Sequence, residues 1–168
     1  MNCPQRTPAL KVAGSRERST GAGGSLRATS GLTALVVDDD PAILELTVAM
    51  LCKIGFKVRT ASEGAEAIFD FHNSPSDIVL SNYEMPAING YQLGRKIKSH
   101  HPRTRILIMT GLGRTAVTGL MSDDTIDGWL FKPFCLEELI TLLERVGLTC
   151  AASTAPIHGM DADHKFDQ

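Results

Sequence analysis

Four kinds of polar side chain stand at the ends of short apolar runs. Asp38, Asp39 and Asp40 follow LTALVV (32–37), and Asn82 follows DIVLS (77–81). Thr110 closes RILIMT (105–110), and Lys132 follows DGWLF (127–131). Adjacent carboxylates repel one another unless a hard cation sits between them, and Mg2+ favours oxygen ligands while keeping several waters. A lysine adds a mobile positive charge and a threonine adds a hydroxyl. Metal, ammonium and hydroxyl together meet the needs of a phosphoryl group, whose oxygens must be neutralised and positioned. Taken singly, each residue reads as a loop residue or a helix cap, and Asp40 before Pro41 is such a cap. Their joint placement is what points to chemistry.

For these side chains to meet, the runs they follow must be neighbouring strands. The pattern supports this. LTALVV reads as a buried strand and PAILELTVAMLCKI (41–54) as a helix, with Pro41 in its first turn and Gly55 at its end. KVRTA (57–61) is a second strand and EGAEAIFDFH (63–72) a second helix. DIVLS is the third strand, followed by a helix over GYQLGRKIKSHH (90–101). RILIMT is the fourth strand, followed by a weaker helix over about 114–121, and the stretch 114–126 is expected to be the most mobile part because few apolar positions anchor it. DGWLF is the fifth strand. CLEELITLLERV (135–146) is the last helix, with Leu136, Leu139, Ile140, Leu143 and Val146 at helical spacing. Apolar strands alternating with amphipathic helices imply a parallel sheet covered on both faces. Right-handed crossovers leave few topologies. The expected fold is α/β: a doubly wound, five-stranded, flavodoxin-like (βα)5 sandwich, in which ligands sit outside the carboxyl ends of the strands.

The bulk properties are undemanding. The chain has 168 residues with a formal net charge of −2. No apolar stretch reaches the ~18 residues that span a membrane, and no signal peptide is evident. Cys3, Cys52, Cys135 and Cys150 are scattered without metal-ligand spacing and read as reduced thiols of a cytoplasmic protein. Residues 1–31 are Gly-, Ser- and Arg-rich with no apolar period and read as a disordered basic leader. Residues 32–148 form the folded domain, and 149–168 a flexible tail.

At this point DDDP, MPAING, IMTG and FKPF, in this order and spacing, resemble the receiver domain of two-component response regulators over residues 32–146. The resemblance implies that Asp38 and Asp39 are the acidic pair that binds Mg2+, with Glu84 reaching the metal through its backbone carbonyl. It makes Thr110 the switch hydroxyl and Lys132 the lysine that pairs with phosphate, with a cis bond to Pro133. Trp129 falls where the family keeps a Tyr or Phe that swings inward on activation.

The departure is at the acceptor. The family places an aspartate where this chain has Asn82. An amide cannot attack a phosphoryl group, though its oxygen can accept a hydrogen bond from Lys132. Losing one of three carboxylates also lowers repulsion, and with it the expected affinity for Mg2+. The expected protein is therefore a stand-alone atypical receiver, not an enzyme. It would work by protein–protein interaction with a sensor histidine kinase or a downstream signalling protein. No DNA-binding segment or membrane span is expected; a homodimer through the fourth and fifth strands stays open. One alternative is a phosphorylatable receiver in which Asn82 is an engineered or deamidating aspartate position, or in which Ser81 or Asp39 is the acceptor. Another is a haloacid-dehalogenase-type phosphatase using Asp38 and Asp40. That reading needs a further acidic pair beyond Lys132, and neither Glu137–Glu138 nor Asp161 with Asp163 fits it.

Overall fold

The structure, a computed structural model, describes residues 27–28, 31–121 and 123–149. In chain order the elements are β1 (Arg27–Ala28), β2 (Thr33–Val37), α1 (Pro41–Ile54), β3 (Lys57–Ala61), α2 (Gly64–Asn73) and β4 (Ile78–Asn82). They continue with α3 (Gly90–His100), β5 (Arg105–Thr110), α4 (Arg114–Val117), β6 (Gly128–Phe131), α5 (Leu136–Arg145) and β7 (Leu148–Thr149). The main sheet is parallel, with strand order β3-β2-β4-β5-β6. This is the doubly wound α/β arrangement expected from the alternation of strands and helices. Its order reverses between β2 and β4, so a crevice opens beyond their carboxyl ends.

The sheet's side chains divide by alternation, as period-2 geometry requires. Ala34, Val36, Ile78, Leu80, Leu107 and Met109 face Leu51 and Ile54 of α1 and Leu139, Leu142 and Leu143 of α5. Leu35, Val37, Val79, Ile106 and Ile108 face Ala67 and Phe71 of α2 and Leu93 and Ile97 of α3. Burial on both faces explains why the strands read as continuous apolar runs.

Local chemistry fixes the helix ends. The Asp40 side chain accepts from the Ala42 amide at 2.8 Å, Pro41 occupies the first turn, and Gly55 closes α1 at φ 109. Asn89 and Gln92 form a reciprocal capping box that starts α3.

Three expectations change. The fourth helix ends at Val117 instead of 121, because Val117 is its one buried residue and Gly119 follows. Arg27–Ala28, inside the stretch expected to be unstructured, pairs in parallel with Leu148–Thr149 at the other end of the domain, where Leu148 is buried against the α1–α5 core. Cys52 on α1 is disulfide-bonded, a pairing that sequence spacing does not announce, whereas Cys135 is free and exposed. Beyond these, residues 1–26 and 150–168 of the expected leader and tail lie outside the described residues. No helix among the described residues is long and apolar enough to cross a membrane.

Candidate functional site

Asp38 leaves β2 while its amide still donates to the Ala61 carbonyl at 3.3 Å. Its side chain is buried, and a buried carboxylate must be paired and hydrogen-bonded. Lys132 Nζ donates to Asp38 Oδ2 at 2.7 Å, and the Asp40 amide donates to Oδ1 at 3.0 Å. Asp39 lies beside it and is exposed.

Asn82 is the last residue of β4 and only 7% exposed. Every hydrogen-bonding end of its amide is engaged. Nδ2 donates to Asp39 Oδ1 at 2.8 Å and to the Glu84 carbonyl oxygen at 2.7 Å. Oδ1 accepts from Lys132 Nζ at 3.1 Å. The surrounding donors and acceptors thereby fix which end of the amide is nitrogen. Gly90, at the head of α3, makes this packing feasible: a Cβ there would lie 2.3 Å from the Asn82 carbonyl oxygen.

Thr110 is buried at the end of β5, where its Oγ1 accepts from the Leu112 amide at 3.0 Å. Its carbonyl accepts from the Lys132 amide at 2.7 Å, which ties β5 to the start of the Lys132 loop. The Lys132–Pro133 bond is cis. Trp129 pairs with Ile108 across β5 and β6 and packs against Tyr83, with ring centroids 6.0 Å apart. Its Nε1 is buried and has no acceptor among the described residues.

The structure thus joins Asp38, Asp39, Asn82, the Glu84 carbonyl and Lys132 in one hydrogen-bonded network, with Thr110 at the adjoining strand end and Trp129 behind Tyr83. Ser81, weighed as an acceptor, is fully buried and donates to the Asn82 carbonyl at 3.1 Å. Glu138 lies in the first turn of α5 and accepts from the Cys135 amide at 2.9 Å, remote in role from the strand-end cluster. Among the described residues, no set of three His, Cys, Asp or Glu side chains is placed to hold a metal ion.

Two features of the neighbourhood were not foreseen. By sequence, Gly90 is only the first residue of the helix over 90–101, and its contact with Asn82 has no sequence signal. Tyr91 donates its hydroxyl to Asp123, which also accepts from the Thr125 amide at 2.8 Å. Hydrogen bonds from Thr125 and then Tyr91 hold the Asp123 carboxyl down at about 2, and the Asp123 partnership raises the Tyr91 phenol above its ordinary value. This latch joins α3 to the segment before β6.

Known proteins place the chain consistently. The model of the response regulator receiver domain matches residues 34–144. The probable transcriptional regulatory protein TcrX of Mycobacterium tuberculosis is 30% identical over 132 residues, covering 75% of this chain and 56% of the relative. The probable transcriptional regulator ycf27 of Guillardia theta is 36% identical over 107 residues, covering 62% of this chain and 41% of the relative. The chain therefore spans about half the length of the curated relatives it matches. Among solved structures, chemotaxis response regulator CheY4 of Vibrio cholerae superposes with a TM-score of 0.62 at 28% identity, covering 70% of this chain and 99% of that one. Response regulator TrrA of Thermotoga maritima, in complex with Mg2+ and BeF, gives 0.62 at 29% identity, covering 68% and 98%.

Proposed function

The chain belongs to the response regulator receiver domain family of two-component signalling, and we propose that it is an atypical member, acting by protein–protein contact without phosphorylation at Asn82. The observation that carries this reading is the bonding of Asn82. It stands at the strand end where the family's resemblance puts the acceptor, yet it is an amide with both ends committed to neighbours. An amide oxygen carries no full charge, and its nitrogen lone pair is delocalised into the carbonyl, so neither end is a nucleophile toward phosphorus. Ser81 offers no substitute, because its hydroxyl is fully buried and turned onto the Asn82 carbonyl.

Receiver domains bind Mg2+ generally, and the TrrA structure carries Mg2+ with BeF. Here the donor set fits that ion poorly. It holds two carboxylates, one of them paired with Lys132, and the Glu84 carbonyl is already taken by Asn82. On this reading Mg2+ affinity is weakened or lost, and the domain is a binding module, not a catalyst. Its partner is a protein, either a sensor histidine kinase or a downstream signalling component. The face around Trp129 of β6 and α5 is the docking surface we favour. Several curated relatives are named as transcriptional regulators, and the receiver-domain match covers residues 34–144 of this chain.

The test is to incubate the protein and its Asn82→Asp variant with Mg2+ and acetyl phosphate and weigh both by intact mass spectrometry. The expected result is a phosphoryl mass on the variant alone. A phosphoryl mass on the unsubstituted protein would overturn the reading.

A further inference from the structure

We infer that the Asn82 amide nitrogen takes the place of a divalent cation in this pocket, so that the site is closed by its own side chain. The inference rests on the receiver reading above and deepens it. Three oxygens would hold the metal by resemblance: carboxylate oxygens of Asp38 and Asp39 and the carbonyl of Glu84. Asn82 Nδ2 lies 2.8 Å from Asp39 Oδ1 and 2.7 Å from the Glu84 oxygen, with one N–H directed at each. A Mg2+ ion needs its ligands at about 2.1 Å, so an ion bridging those two oxygens would occupy the space of the amide hydrogens. The third ligand, Asp38, is held by Lys132 and by the Asp40 amide. A partly positive NH2 group thus spans two oxygens, and an ammonium neutralises the remaining carboxylate. These are the tasks an ion would perform.

Asn82 cannot easily step aside. It is 7% exposed, and rotating its amide would strand two N–H groups and detach Lys132 from Oδ1. The block is therefore occupancy as well as missing charge, and the two causes make different predictions. If only charge mattered, removing the amide without adding a carboxylate would leave Mg2+ binding as weak as before. If the nitrogen occupies the site, removal opens it.

The experiment titrates Mg2+ alone into the protein and its Asn82→Ala, Asn82→Ser and Asn82→Asp variants. It follows fluorescence of Trp129, the single tryptophan of the chain, together with the thermal midpoint. The unsubstituted protein is expected to respond to neither readout. Asn82→Ala should bind Mg2+ about tenfold more tightly, the worth of one competing hydrogen bond, and Asn82→Asp more tightly again. Asn82→Ser, whose hydroxyl can serve one of the two oxygens, should fall between the unsubstituted protein and Asn82→Ala, and it decides the matter if the alanine variant does not fold. A saturating Mg2+ response in the unsubstituted protein would overturn the inference, as would alanine and serine variants that bind no better than asparagine. Those results leave the phosphorylation-independent reading standing. A phosphoryl mass on the unsubstituted protein would sink that reading without bearing on the occupancy of the site.

Discussion

Lys132 is the residue on which the strand-end network turns. It bonds the buried Asp38 carboxylate and the Asn82 oxygen at once. Lys132→Met should cost about 2–4 kcal/mol in urea unfolding, because it leaves a buried charge with one remaining donor. Adding Asp38→Asn to that variant should recover part of the loss, and a double-mutant cycle that came out additive would refute the coupling. At this scale the sequence was informative about residue type but not about direction. Asp38, Asn82, Thr110 and Lys132 were legible because a polar residue ending an apolar run is conspicuous. The hydrogen bond from Asn82 to Asp39 joins positions 43 apart in the chain and follows from strand order, so no local pattern could announce it. The same holds for the turn of Asn82 toward the Glu84 carbonyl.

At the scale of elements, the close seating of α3 on β4 is the feature most open to test. Gly90→Ala puts a methyl 2.3 Å from the Asn82 carbonyl oxygen, against backbone that cannot yield as a side-chain tip would. The expected loss is about 1–3 kcal/mol, as for other overpacked sites, with a shifted Trp129 emission because Tyr83 lies between. The Asp123 latch gives a pH dependence. Its carboxyl is depressed to about 2 from an ordinary value near 3.8, so its stabilising contribution is full above the ordinary value and lost as pH falls toward 2. Urea midpoints measured from pH 5 down to 2 should therefore fall more steeply for the parent than for Asp123→Asn. Strands and long helices could be read from pattern because each buries a regular face. α4 could not, since one buried side chain, Val117, sets no period. The Tyr91–Asp123 contact escaped as well, because it links a helix start to an irregular segment.

For the molecule as a whole, the sheet is the stabilising body, and its centre is the place to weaken it. Leu107 is fully buried on β5, and its Cδ2 approaches Gly128 of the next strand, which also lies under Leu142 of α5. Leu107→Ala should cost about 2–5 kcal/mol, the range for truncating a buried leucine, with a single cooperative transition retained in calorimetry. The five-stranded architecture was legible throughout, because two-sided burial writes itself as apolar runs. The β1–β7 pairing was not, since two residues carry no periodicity. The internally satisfied pocket has a consequence for how such a domain would convey information. An ordinary receiver reports a chemical state that is written and erased on one side chain. On the proposed reading, a domain whose pocket is filled by its own amide would have one phosphorylation state and nothing to erase. If the proposal holds, such a receiver domain would report its abundance, and the fraction of partner engaged would follow how many copies are made and how fast they are removed.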